Sequence, residues 1–186
     1  YRLEMDATGH GAFDFLIQMR TDNETFVLNY PKTSITPSSS GVVNLTGNFE
    51  MSFDKEGDGS FEKTVGPQKI IKIEEDLDNN SAIVRLLKIP EKETSQIDLT
   101  RSTGSIIDIR NKNSIVNGLI TVAQIEELTN IGGLYTIGSF VRINFSDNLM
   151  GNIKEINLTI IYSDAELDAN SLSEKTLSIY ERDTLA

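Results

Sequence analysis

The chain has 186 residues, 38% of them hydrophobic, and a formal net charge of −11. That length and composition suffice to bury one large core or two small ones. Its 17 basic residues are scattered among 28 acidic ones, which excludes the clustered cations a nucleic-acid surface needs. The absence of Cys excludes disulfides, thiol catalysis and thiolate metal sites. A single His excludes a His-rich metal centre.

In chain order, Phe13, Phe15, Ile17 and Met19 alternate with Asp14, Leu16, Gln18 and Arg20, the period of a strand with one buried face. Val27–Tyr30 is a shorter apolar run that Pro31 is expected to end. Residues 37–41 read as a loop. Val43 and Leu45, and then Phe49, Met51 and Phe53, alternate again. Asp54–Gly59 is a turn-rich break, and Val65-Gly-Pro67 is the strongest boundary. The chain is therefore divided into residues 1–66 and 67–186.

In the second unit, Ile70–Ile73, Ala82–Ile89, Ser105–Ile109, Gly118–Val122 and Phe140–Phe145 read as strands. Asp76–Ser81 is a polar turn, and Glu74–Asp78 reads as a solvated acidic loop. Residues 123–130 fit one or two helical turns, with Ile125 and Leu128 on one face. Ile156, Leu158, Ile160 and Tyr162 form a last long strand. Ser163-Asp-Ala-Glu166 has capping-box spacing, and Leu177–Tyr180 supplies a further strand. Short strands between frequent turns predict an all-β protein of two antiparallel β-sandwich domains, with at most short helical turns.

Two stretches carry a resemblance. Tyr162-Ser-Asp-Ala-Glu-Leu167, followed by Leu177-Ser-Ile-Tyr180, is similar to the end of a β-sandwich module. That module recurs in large secreted and surface-anchored archaeal and bacterial proteins, S-layer-like and adhesin-like. Tyr1-Arg-Leu-Glu4, Gly9-His-Gly-Ala-Phe-Asp-Phe15 and Phe53–Glu62 resemble a second module of the same proteins. The pattern is strongest over residues 134–181. The resemblance implies a non-catalytic structural or adhesive function at the extracellular cell surface: a spacer, or a building block of a layer or filament. An accessory or substrate-binding region of a secreted hydrolase is the alternative. The expected partners are neighbouring modules of the same chain or other copies of it, without nucleic acid and without membrane insertion. Because Tyr1 stands first, the chain reads as a piece of a longer protein.

The acidic turn has two readings. Asp54, Glu56 and Asp58 fall at alternate positions, with Ser60 and Glu62 following, so hard oxygens for calcium gather on a glycine turn. The spacing departs from an EF-hand, since the twelfth position from Asp54 is Val65. The other reading is a plain hairpin turn, using Gly57 and Gly59 for positive φ.

Five sequons begin at Asn23, Asn44, Asn79, Asn144 and Asn157 and are candidates for glycosylation in an exported chain. His10, between two glycines, reads as an exposed turn residue, because no nucleophile motif accompanies it. Gly132-Gly133 lacks the Lys-Ser/Thr of a phosphate loop. No enzymatic activity is expected. The short tail after Tyr180 suggests an incomplete sheet edge. A β-strand of another copy would complete it, giving a homo-oligomer or filament, with Tyr1–Met5 or a tail beyond Ala186 as donor.

Overall fold

In the computed structural model, residues 2–45, 47–125, 140–169 and 173 are described. The strands are β1 (Arg2–Asp6), β2 (Gly11–Arg20), β3 (Glu24–Ile35), β4 (Ser40–Asn44), β5 (Met51–Asp54), β6 (Lys63–Val65) and β7 (Lys69–Asp76). They continue with β8 (Ser81–Ile89), β9 (Thr94–Leu99), β10 (Ser105–Asn111), β11 (Ile115–Ile125), β12 (Phe140–Phe145) and β13 (Ile153–Ile160). The helices are short: α1 (Asp147–Met150) lies between β12 and β13, and α2 (Asp164–Ala169) follows Ser163. No helix among the described residues is long and apolar enough to cross a membrane. The protein is all-β, and all of the strand pairs are antiparallel.

A six-stranded sheet, ordered β12-β11-β8-β7-β3-β2, is the central layer. A four-stranded sheet (β1-β4-β5-β6) and a three-stranded sheet (β13-β10-β9) pack on it. Side chains alternate between faces, and directly paired residues share a face. Val27 pairs with Ile71, and both pack into the core that includes Ile97, Leu99, Ile107 and Ile109 of the three-stranded sheet. Leu28 pairs with Ile70, and both pack into the core that includes Val43, Met51 and Val65 of the four-stranded sheet. The two small sheets therefore cover opposite faces of the large one.

The two cores fall largely on either side of Val65-Gly-Pro67, the boundary expected from sequence. The sheet itself runs through it, because Glu24–Asn29 of β3 pair with Lys69–Glu74 of β7.

Several sequence expectations change in the structure. Pro31 does not end β3. The register steps from Phe13↔Thr33 to Phe15↔Tyr30, so Asp14 stands opposite both Pro31 and Lys32. This bulge absorbs the residue that cannot donate to a ladder. Phe49 precedes β5 and has φ of 56°. It is held there by the Tyr30 hydroxyl, which donates to its carbonyl at 2.6 Å, and by the Phe26 ring at 5.4 Å. Residues 123–125 belong to β11 and are not helical, and the rest of the expected helix lies outside the described residues. Leu177–Tyr180 also lies outside them. The N-terminal segment, expected as a donor to another copy, pairs from Arg2 to Asp6 with β4 of its own chain.

Leu28 and Leu86 are fully buried, one in each core. Leu28→Ala and Leu86→Ala are each expected to cost about 2–5 kcal/mol in denaturant unfolding. Burial pushes the Tyr30 phenol up to about 12. A pKa raised on folding contributes stability that is whole below the ordinary tyrosine value and is lost as pH rises through the folded one. Stability should therefore fall across the alkaline range up to about pH 12, and Tyr30→Phe should remove that loss.

Candidate metal and glycan sites

The acidic turn between β5 and β6 is built around Asp54, which is 2% exposed. Its Oδ1 accepts the amides of Glu56 at 3.1 Å and Gly57 at 2.6 Å, and its Oδ2 accepts that of Gly59 at 2.9 Å. Desolvation pulls the Asp54 pKa up, but the amides of Gly57, Gly59, Glu56 and Asp58 outweigh it and hold the carboxyl below its ordinary value. The turn repeats this device on a smaller scale. Asp58 Oδ1 accepts the Ser60 amide at 2.8 Å, and Glu62 Oε2 accepts the Lys55 amide at 2.8 Å.

A second turn, residues 36–39, braces the first. Thr36 Oγ1 and the buried Ser39 Oγ both donate to the Lys55 carbonyl, at 3.0 and 2.9 Å. Gly57 has φ of +75°, and a Cβ there would lie 2.4 Å from the Ser38 carbonyl oxygen. Glycine is required by conformation and by space together.

Of the five candidate ligands, the fold brings three together: carboxylate oxygens of Asp54, Asp58 and Glu62 lie within 4.8 Å of one another. Glu56 is outside this group, and the amides of Glu56 and Ser60 bond to Asp54 and Asp58 within the turn. Calcium takes six to eight oxygens. Asp54 has both oxygens committed to backbone N–H groups, so its carboxylate primarily shapes the turn. Asp58 and Glu62 are exposed, and each has one carboxylate oxygen to which no amide bond is assigned.

The second acidic stretch is a solvated turn only at its end, Leu77-Asp78. Glu74–Asp76 lies in β7. Glu74 accepts Lys72 at 2.6 Å and Arg85 at 3.3 Å, and these cations, led by the Lys72 bond, lower its pKa. Lys72 also reaches Glu24 at 2.8 Å and lies 5.5 Å from the Phe26 ring centroid. Glu75 faces the other way and is buried. Its Oε2 is 3.7 Å from Arg101 Nη1, and its Oε1 has no hydrogen-bond partner among the described residues. The repeat Ile71, Ile73, Glu75 carries the signal for that inward placement. Asp76, at the strand end, holds the Asn79 side chain at 2.7 Å and its amide at 3.1 Å, which lowers its pKa.

The five sequon asparagines all stand at exposed positions. Asn23 and Asn79 are in turns, Asn44 ends β4, and Asn144 and Asn157 lie within β12 and β13. Among the described residues, Asn144 and Asn157 make long side-chain bonds, 3.4 Å to Thr121 Oγ1 and 3.4 Å to Glu155 Oε1. His10 is exposed in the bend between β1 and β2.

Gly57→Ala is expected to destabilise the protein by more than ~1 kcal/mol, measured by chemical denaturation. A carboxylate pKa lowered on folding contributes stability that is present above its unfolded value and lost as pH falls through the folded one. Asp54, Glu74 and Asp76 share that direction, so stability should decline below about pH 4. Asp54→Asn should lower the melting temperature at neutral pH and flatten the acid decline.

Comparison with known protein families, curated proteins and solved structures finds no match to this chain.

Proposed function

We propose that the chain is a non-catalytic structural or adhesive module of an exported cell-surface protein. The observation that supports this best is the exposure of all five sequon asparagines on a stack of antiparallel sheets. Glycans added there would project into solvent without disturbing either core. Immunoelectron microscopy of source cells should place the protein at the surface, and glycopeptide mass spectrometry should find modified Asn44, Asn144 or Asn157. Labelling confined to the cell interior overturns the proposal.

Calcium binding at the acidic turn is a second part of the reading. Asp58 and Glu62 would be the ligands, with Asp54 holding the backbone and water completing the shell. Three carboxylates so close repel one another, and a divalent ion relieves that repulsion. Millimolar calcium should raise the melting temperature, and Asp58→Asn with Glu62→Gln should abolish the rise. If calorimetry detects no binding at millimolar calcium, the turn is structural alone.

A further inference from the structure

Six strands end a sheet, and β2, at ten residues, is the longest of them among the described residues. Its inner edge is paired with β3. No backbone hydrogen bond reaches its outer edge from any other described residue. Exposed edges of this kind are normally blunted by Pro, Lys, a bulge on the edge strand or short length. β2 has neither Pro nor Lys, and the extra residue of its bulge lies in β3. Within a chain of net charge −11, this strand carries one Asp and one Arg. Leu16, at its centre, is 64% exposed.

We propose that β2 pairs antiparallel with β2 of a second copy, joining two six-stranded sheets into one continuous sheet. The inference deepens the expectation, drawn from the sequence, of strand pairing with another copy and gives it a particular edge and register. A twofold axis perpendicular to the sheet keeps each face on its own side, so paired positions must share parity. The charges then select among the allowed registers. Centring the axis on Ile17 sets Asp14 opposite Arg20 of the second copy, and Arg20 opposite its Asp14. Centring on Leu16 sets Asp14 opposite Gln18 and Arg20 opposite Ala12. Centring on Gln18 brings Asp14 towards Asp22. Only the Ile17 register satisfies both charges.

That register also matches the other face. Ile17 meets Ile17, and Phe15 meets Met19, an aromatic–thioether pair. These residues already pack with Leu28 and Tyr30 in the core beneath the four-stranded sheet, so the apolar layer continues across the seam. Neither Asp14 nor Arg20 has an ion-pair partner among the described residues. Arg20 Nε donates to Thr25 Oγ1 of the neighbouring β3 at 3.2 Å. The contact is isologous, and it yields a closed dimer unless a second interface is added.

The test is sedimentation equilibrium of the full chain over a wide concentration range. The unaltered protein should form a dimer. Asp14→Arg and Arg20→Asp, each alone, set like charges opposite one another twice and should weaken the dimer by about tenfold or more. The double variant restores both pairs and should dimerise again. An equimolar mixture of the two single variants should form heterodimers. Thermal melts of each variant separate loss of fold from loss of assembly. A monomer at every concentration overturns the proposal, as do single variants that dimerise normally or a double variant that does not recover. Those outcomes leave surface location intact, because microscopy of source cells reads that separately.

Discussion

The ladder between β3 and β7 ties the two cores into one sheet. It is apolar on both faces: Val27 and Ile71 face one core, Leu28 and Ile70 the other. A strand pair covered on both sides reads as consecutive apolar residues and not as alternation. Val27-Leu28 and Ile70-Ile71 are such runs. Each small sheet can bury its own inner face only because this seam holds the large sheet together. Further along the same strands the pattern changes. Lys72 and Glu74 turn towards the face carrying Glu24 and Arg85, where ion pairs replace apolar cover.

The acidic turn shows the same economy of polar groups. A buried carboxylate is tolerated when N–H groups surround it. Asp54 gathers those of its own turn, and the turn in turn fixes the directions of Asp58 and Glu62. Whatever an ion adds there comes on top of a loop that the backbone already holds. The turn at 36–39 couples this loop to the start of β4 through the Lys55 carbonyl. A perturbation of the turn is thereby carried into the four-stranded sheet.

Much of the fold was legible in the sequence, for identifiable reasons. β8 and β10 bury alternate residues, β2, β12 and β13 turn alternate residues inward to partial burial, and their periodicity shows it. β9 was missed because one of its three inward positions is Ser95, which leaves Ile97 and Leu99 as its apolar signal. The extension of β3 beyond Pro31 depends on a bulge that only the partner strand reveals. Glu75 was legible in principle, since period 2 from Ile71 and Ile73 points it inward. The pairing of β3 with β7 was not, because local punctuation at Gly66-Pro67 carries no information about which strands meet across it. At the acidic turn, the spacing of acids and glycines located the loop. Whether the Asp54 carboxylate points to an ion or to the backbone depends on the closure of the turn, which spacing does not encode.

Native-state hydrogen exchange, read residue by residue, tests whether the β3–β7 ladder unites the two cores. Amides bonded between Glu24–Asn29 and Lys69–Glu74 should exchange through the same opening as those of β8 and β11. The two cores would then unfold as one cooperative unit. Contradiction would come from β2 and β3 exchanging together through a separate, lower-energy opening while β7 and β8 stay protected. In that case the seam would be a contact between two independently stable sandwiches and not the element that unites them.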